Sequence, residues 1–390
     1  MSDERGMLVE VEVASLAAGG DGVARDATGR VTFVPRTAPG DRVRARLVQQ
    51  TKTFARADLV EVLTPGAARV EPPCAAFAAG CGGCQWMHVA RGEQLAAKQA
   101  IAAGALRKLD GLTLHPIADP APALGWRRRA RFHVGGSAVG LYALGTHRIL
   151  PLARCPQLDP RLDELLARIA ALSPPSGELA LLVGHAGDVA IGTERPWRAA
   201  EKLVGTSAIR GVVSGDHHYG APVIEVEPGL WGGPWDFAQA SAAGNLALIA
   251  RTREAIGPGP GTLLELYAGA GNFTRGLVAD GWQVTASDVV APARPVAATY
   301  LTGEAGEIVA RTTGPFDAVV LDPPRTGATD AIDGIVRLAP RVIAYVSCDP
   351  ATLARDATRL VAAGYRATDA WPIDLMPQTS HVEIVLRLAR

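Results

Sequence analysis

The sequence predicts a multidomain chain with three parts: an N-terminal OB-like β-barrel, a central α+β domain that carries a cysteine group, and a C-terminal doubly wound (Rossmann-like) α/β domain. Three observations support this. At 390 residues the chain exceeds what one hydrophobic core usually serves. Residues 7–63 form short alternating stretches, whereas strand-like and helix-like stretches alternate regularly after Thr262. The predicted domains are residues 1–64, 65–215 and 216–390.

The first 64 residues show the pattern of a small barrel. Apolar and polar residues alternate over residues 8–13, 31–34, 42–48 and 57–63, and glycine-containing turns separate these stretches. Short period-two strands joined by such turns are typical of closed antiparallel barrels.

The composition excludes some classes of protein. Hydrophobic residues make up 48% and charged residues 20%, and we see no apolar run long enough to cross a membrane. The first residues lack the basic and apolar regions of a signal peptide, so we expect a cytoplasmic location. The formal net charge is zero, which argues against a wholly basic nucleic-acid coat protein but permits local basic patches.

One such patch comprises Arg127, Arg128, Arg129 and Arg131. It is either a solvated charged edge or a surface that contacts phosphates, and charge alone does not separate the two.

Five cysteines, an odd number, favour metal binding or catalysis over a disulfide framework. Cys74, Cys81 and Cys84 follow a C-x6-C-x2-C spacing, and Cys155 lies in a separate segment before a proline. Three near cysteines and one remote cysteine favour a 4Fe-4S cluster, with zinc or unligated thiols as alternatives.

A glycine-rich turn follows the apolar stretch LLELYA, and a helix is predicted from about Asn272. Backbone N–H groups at such a helix start can bind an anionic or nucleotide-like cofactor. The turn alone serves nicotinamide and S-adenosylmethionine equally well. Glu265 inside the strand and Asp288 at the end of the next strand favour S-adenosylmethionine.

The stretch DAVVLDPPRTG ends a predicted strand at Asp322, and two prolines stiffen the loop that follows. Loops of this type recur in methyltransferases that act on nucleobases, and nicotinamide dehydrogenases have no comparable need for one.

Cys348 and Glu383 are the candidate catalytic residues. Cys348 follows an apolar strand and precedes a helix, where thiolate character is expected to rise, although a buried structural thiol is the alternative. A thiolate that adds to C6 of uracil activates C5, and a base must later remove the C5 proton. Glu383, in an otherwise apolar strand, suits that role unless it is only an edge charge; His381 is interpreted as structural or substrate-binding.

The motifs YAGAGNFT, LDPPRTG, VSCDPATLARD and HVEIVLRL, the barrel-like start and the four cysteines resemble the RNA 5-methyluridine methyltransferase family, in its TRAM-containing iron-sulfur branch. The resemblance spans nearly the whole chain. It implies a TRAM barrel that binds RNA, a class I methyltransferase domain, S-adenosylmethionine as donor and a 4Fe-4S cluster. The implied residues are Cys348 as nucleophile, Glu383 as base, Gln239, Tyr267, Asn272, Asp288 and Asp322 at the donor, and Cys74, Cys81, Cys84 and Cys155 at the cluster.

Two departures from the family pattern stand out. Ser241 replaces the asparagine that usually follows two residues after the glutamine, and the stretch between Asp288 and Asp322 is short and lacks an asparagine. We therefore expect weaker contacts to the adenine of the donor. The resemblance favours ribosomal RNA of the large subunit (23S) over transfer RNA as substrate, and a non-catalytic RNA-binding iron-sulfur protein on this scaffold remains the alternative.

Overall fold

The structure is a computed structural model that describes residues 6–294 and 297–390. It divides into two compact units. The first unit contains Met1–Ile101, Leu141–Leu150 and Pro377–His381, and the second contains Ala102–Gly140, Pro151–Met376 and Val382–Arg390. The predicted division at residues 64 and 215 is not tested by these units and stays a prediction.

The first unit begins with a closed five-stranded barrel in the order β1-β2-β3-β5-β4. Its strands are β1 Leu8–Leu16, β2 Gly22–Arg25, β3 Val31–Val34, β4 Arg42–Gln50 and β5 Phe54–Thr64. Small and branched side chains fill the interior, among them Val11, Val43 and Ala55. Outward positions on β1 and β4 carry ion pairs such as Arg44–Glu10 at 3.0 Å. The predicted barrel is therefore confirmed.

The barrel is followed by a short, loop-rich stretch. Its elements are α1 Ala75–Ala78, α2 Arg91–Leu106 and β6 Thr113–Leu114. Trp86 is fully buried there, packs with Leu16 and Val89, and donates its indole N–H to the Gly20 carbonyl at 3.0 Å.

A seven-stranded sheet forms the centre of the chain, in the order β13-β12-β11-β10-β7-β8-β9. Its strands are β7 Arg129–Gly135, β8 Ala138–Tyr142, β9 Ile149–Pro151, β10 Gly177–Val183, β11 Val189–Thr193, β12 Ile209–Ser214 and β13 His217–Gly220. The helices of this stretch are α3 Pro160–Ala171 and α4 Ala200–Leu203, and the ribbon β14 Ile224–Glu227 and β15 Leu230–Gly232 follows. Leu179, Leu181 and Ile191 are fully buried in the sheet.

The C-terminal part is an eight-stranded sheet in the order β18-β17-β16-β19-β20-β22-β21-β6. Its further strands are β16 Gly261–Leu266, β17 Trp282–Asp288, β18 Thr299–Thr302, β19 Ala318–Leu321, β20 Val342–Ser347, β21 Arg366–Ile373 and β22 Glu383–Ala389. The helices are α5 Ala242–Ile256, α6 Thr274–Ala279, α7 Ala305–Arg311, α8 Ile332–Leu338 and α9 Pro350–Ala362. The five neighbouring strands β18, β17, β16, β19 and β20 run parallel to one another, which confirms the doubly wound class.

Strand β22 departs from the parallel pattern, because it lies antiparallel between β20 and β21. Helix α5 begins at Ala242, because the Ser241 side chain caps it by accepting a hydrogen bond from Gly244 N–H at 3.0 Å. Among the described residues, no helix is long and apolar enough to cross a membrane.

Candidate active site

The glycine-rich turn lies at the carboxyl end of β16, next to β17 and β19. Tyr267, Gly269 and Gly271 all have positive φ angles, of 60°, 55° and 90°. Gly269 N–H donates to the Asp288 carboxylate at 2.9 Å, which ties the turn to the end of β17. A tight turn at the carboxyl edge of a parallel sheet is where nucleotide-like cofactors bind.

Three acidic side chains surround this turn: Glu265, Asp288 and Asp322. Glu265 is buried and accepts a hydrogen bond from the Thr274 hydroxyl at 2.7 Å, so it is not a solvated side chain. Burial raises the pKa of Glu265 to about 8, and Asp322 and Asp288 add to the rise. Burial also raises the pKa of Asp322 to about 7. The free site therefore holds part of its acid groups in the protonated form near neutral pH.

The short segment after Asp288 is held by Tyr300 on β18. The Tyr300 hydroxyl donates to the Gly269 carbonyl at 2.7 Å and to the Val290 carbonyl at 3.2 Å. One side chain thus fastens this segment to the glycine turn. Pro295 and Val296 of the short stretch lie outside the described residues, so the expectation of weak adenine contacts stays a prediction.

Cys348 and Glu383 face each other across neighbouring strands. Ser347, the last residue of β20, pairs with Ile384 in the antiparallel β20–β22 ladder, so Cys348, which directly follows β20, comes opposite Glu383. Glu383 is buried, and Cys348 is half-buried directly before α9. The structure therefore brings together the two residues predicted to be nucleophile and base.

The Cys348 thiol is harder to ionise than the sequence suggested. Burial, then Glu383 and Asp322, raise the pKa of Cys348 to about 11, while Arg325 opposes the rise. The expectation of a more acidic thiol before a helix is therefore wrong for the free enzyme. The helix start is already occupied by Asp349, whose carboxylate accepts from Ala351 and Thr352 N–H groups at 3.0 and 2.9 Å.

The loop after Asp322 is held by a buried network that the sequence did not suggest. Ala328 N–H donates to the Asp356 carboxylate at 2.8 Å, and the Tyr345 hydroxyl donates to the same carboxylate at 2.7 Å. Arg355 donates to the Thr326 carbonyl at 2.9 Å. Asp356 is fully buried on α9, so a loop, a strand and a helix meet at one carboxylate.

Gln239 and Asn272, both predicted donor ligands, lie on the second unit with the other candidates. Asn272 exchanges two amide hydrogen bonds with Asn245 of α5, at 2.8 and 2.9 Å. Ser241, the departure from the family pattern, caps α5. Asn245, one helical turn after Ser241, makes the amide hydrogen bonds with Asn272.

The side chains of the arginine patch do not share one surface, because successive residues of an extended chain point to opposite faces. Arg128 is buried and forms an ion pair with Glu227 at 2.6 Å, so its expected place in a surface patch is wrong. Arg127, Arg129 and Arg131 alternate with buried residues; Arg131 is exposed, whereas Arg127 and Arg129 are half-buried. Their guanidinium groups lie over the rings of Trp126, Phe237 and Trp235, at 4.7, 5.6 and 5.4 Å from the ring centres.

The cysteines predicted to bind a cluster are divided between the units. Cys74, Cys81 and Cys84 belong to the first unit, where all three thiols act electrostatically on the Arg36 guanidinium, and Cys155 belongs to the second. Within residues 6–294 and 297–390, no three His, Cys, Asp or Glu side chains are close enough to hold a metal ion. The 4Fe-4S cluster and its four cysteine ligands therefore stay a prediction.

Four polar side chains were not predicted from the sequence: Asn245, Glu227, Tyr300 and Asp356. Asp356 lies in the motif VSCDPATLARD, and Asn245 lies four residues after Ser241. A polar residue on the buried face of a helix is the signal that was available, because buried polar groups need partners.

The glycine turn and the Cys348 thiol share one edge of a doubly wound sheet, and that arrangement places the domain in the methyltransferase class. Residues 3–60 match the TRAM domain family, and residues 307–390 match the family described as tRNA (Uracil-5-)-methyltransferase.

Similar proteins span nearly the whole chain. The 23S rRNA (uracil(1939)-C(5))-methyltransferase RlmD of Halomonas elongata is 32% identical over 97% of this chain and 89% of its own length. That of Cronobacter sakazakii is 33% identical over 96% of this chain and 95% of its own length. The Pyrococcus abyssi tRNA (uracil-54, C5)-methyltransferase in complex with S-adenosyl-L-homocysteine has a TM-score of 0.76 and 21% identity, covering 97% of this chain and 100% of that chain.

The chain belongs to the family of S-adenosylmethionine-dependent RNA uracil-C5 methyltransferases. The structural likeness, at 21% identity, adds the fold alone.

Proposed function

We propose that this enzyme forms 5-methyluridine in 23S ribosomal RNA through covalent addition of Cys348 to C6 of the target uracil. The pairing of Cys348 with Glu383 across β20 and β22 carries the proposal, because it supplies a nucleophile and a base at one position. Several similar proteins named for uracil 1939 of 23S rRNA favour ribosomal RNA, with transfer RNA as the alternative.

The reaction forms two bonds to the uracil ring, one at C6 and one at C5. The Cys348 thiolate bonds to C6, and the electron pair moves to C5 and the C4 carbonyl. C5 then attacks the methyl carbon of S-adenosylmethionine, the bond between that carbon and the donor sulfur breaks, and S-adenosylhomocysteine leaves with the sulfur electron pair. Glu383 then accepts the C5 proton, the bond between C6 and sulfur breaks, and the thiolate leaves with its electron pair. The positive charge of Arg325 lowers the pKa of Cys348 and so favours the ionised thiol.

The donor site is proposed to consist of Gln239, Tyr267, Asn272, Asp288 and Asp322. Asp288 at the end of β17 would accept hydrogen bonds from the ribose hydroxyls, and the acids Glu265 and Asp322 favour a cationic donor. Nicotinamide chemistry has no comparable use for the Cys348–Glu383 pair.

RNA is proposed to bind along Arg127, Arg129 and Arg131 and on the barrel. Guanidinium groups stacked on aromatic rings suit single-stranded RNA, whose bases stack and whose phosphates carry charge. On the barrel, Arg56 lies 5.5 Å from the ring centre of Phe33, which pairs edge-to-face with Phe54. We expect a cytoplasmic location, because the substrate is RNA.

Cys74, Cys81, Cys84 and Cys155 are proposed to bind a 4Fe-4S cluster with a structural role, on the basis of their spacing. Anaerobically purified protein should contain iron and sulfide, and Cys155→Ser should lower both. Equal iron content in the variant, or zinc in its place, would contradict the cluster.

The enzyme and the alternative, an RNA-binding protein without turnover, are separated by one experiment. Protein is incubated with tritiated S-adenosylmethionine and, in separate reactions, with ribosomal and transfer RNA from a deletion strain, and the RNA is digested to nucleosides. Label in 5-methyluridine from ribosomal RNA, lost in Cys348→Ala, is the expected result. Glu383→Gln should retain a protein–RNA adduct that survives denaturation. No label at saturating donor refutes catalysis, and label only in transfer RNA refutes the ribosomal substrate.

A further inference from the structure

A buried ion pair lies beside the donor site, between Arg128 at the start of β7 and Glu227 at the end of β14. Its atoms are 2.6 Å apart, and the two residues are 4% and 5% exposed. An ion pair this deep rarely adds net stability, because both charges lose their water. Its contacts therefore indicate a role beyond stability.

On one side the pair reaches the Gln239 segment. Arg128 Nε donates to the Gln239 carbonyl at 2.9 Å, and Arg128 N–H donates to the Ala240 carbonyl at 2.9 Å. Gln239 thus has its backbone fixed by a residue 111 positions earlier in the chain.

On the other side the pair reaches Asn272 through helix α5. Asn245 Nδ2 donates to Glu227 at 3.1 Å and to the Asn272 side chain at 2.9 Å, and Asn272 Nδ2 returns a hydrogen bond at 2.8 Å. Asn245 is fully buried. A reciprocal amide pair fixes which way the Asn272 amide faces, because turning it would oppose donor to donor.

We propose that Arg128, Glu227 and Asn245 are positioning residues that orient Gln239 and Asn272 for the methyl donor. This inference rests on the proposed function of those two residues. It assigns Arg128, in the middle of an RNA-facing arginine run, to the donor rather than to RNA.

The test compares Asn245→Ala and Arg128→Lys with the native full-length protein. Binding of S-adenosylhomocysteine is measured by calorimetry, and KM for S-adenosylmethionine and kcat are measured with RNA substrate. Loss of two or three buried hydrogen bonds should raise Kd and KM by about 5- to 30-fold. The Kd for RNA should stay within about twofold, since neither residue lies on the outward face of β7. Arg128→Lys keeps the charge but lacks the Nε donor to Gln239.

Thr252→Val is the matched control. Thr252 is fully buried on α5, two turns beyond Asn245, and its hydroxyl donates only to the Leu248 carbonyl among the contacts described, at 2.9 Å. It should lower the melting temperature without changing the Kd for S-adenosylhomocysteine.

Four outcomes are informative. A rise in Kd in Asn245→Ala and Arg128→Lys but not in Thr252→Val supports the network. Native-like Kd and KM in both network variants overturn it, and so does an equal loss of affinity in Thr252→Val. Failure of the native protein itself to bind S-adenosylhomocysteine refutes the donor site, and with it the proposed function.

Discussion

The Cys348 thiol lies between two opposing influences. Burial, Glu383 and Asp322 favour the neutral thiol, and Arg325 favours the thiolate, with a resulting pKa of about 11. We expect the Cys348 thiol to become more acidic when the cationic donor binds nearby, because a positive charge favours the thiolate.

Alkylation of Cys348 by iodoacetamide should follow its ionisation and rise toward a midpoint well above pH 9, the ordinary value for a thiol. Asp322→Asn removes a negative charge and should shift the midpoint to lower pH. Peptide mass spectrometry separates Cys348 from the other four cysteines. A midpoint unchanged by Asp322→Asn would contradict the electrostatic explanation.

Glu265 makes stability depend on pH in an unusual direction. Because burial raises its pKa from 4.5 to about 8, the folded protein binds this proton more tightly than the unfolded chain does. The contribution is complete below the unfolded pKa and is lost as the pH rises through the folded value. The melting temperature should therefore fall between about pH 5 and 8, and Glu265→Gln should flatten that fall.

Glu164→Gln, on the exposed side of α3, is the control for this measurement and should keep the native pH dependence. A native-like fall in melting temperature in Glu265→Gln would assign the effect to another group.

At the scale of elements, the loop between β19 and α8 depends on its fastening to α9. Gly327 has a φ of 80°, and a Cβ there would lie 2.4 Å from Arg355 and 2.5 Å from Asp356. Only glycine allows the loop to approach the Asp356 carboxylate so closely. The loop begins with Asp322 and Arg325, which both act on Cys348.

Gly327→Ala should displace this loop and cost roughly 1–3 kcal/mol through strain and lost hydrogen bonds. We expect kcat to fall by about tenfold or more, because a small misplacement at the reacting group is costly. Gly364→Ala is the control: its φ of 100° is also positive, but no atom lies within 4 Å of the added Cβ. Equal kcat in the two variants would show that the loop position does not matter for catalysis.

Most helices and strands could be predicted from the sequence, because burial on one or both faces gives the apolar residues a regular spacing. Strand β3 was predicted at its observed limits. The start of α5 depends on the Ser241 cap, which the spacing of apolar residues does not reveal. The direction of the Arg128 side chain depends on contacts with Glu227 and Gln239, which are distant in sequence.

For the molecule as a whole, zero net charge means that RNA is attracted by local surfaces rather than by an overall field. The double variant Arg127→Ala/Arg129→Ala should weaken RNA binding and reduce the slope of log K against log salt by about 0.7 for each lost contact with a single-stranded phosphate. Arg161→Ala, an exposed arginine on α3, should leave the slope unchanged. A slope unaffected by the double variant would place RNA elsewhere.

The order of the parts along the chain was predictable, since a barrel pattern and a strand–helix pattern differ in period. The position of β22 was not, because its apolar run fits either direction and any neighbour. Insertion of β22 beside β20 is what sets Glu383 opposite Cys348. The catalytic pair was therefore inferred from chemistry and family resemblance, and its geometry came from the sheet order.

The desolvated acids Glu265 and Asp322 also bear on what happens after methyl transfer. The donor carries a sulfonium charge that its spent product lacks, so transfer removes one positive charge from a pocket where water screens poorly. We expect the pocket to hold the donor more tightly than the product once the acids are ionised. Product inhibition should then ease as the pH rises, and turnover should speed up through faster release.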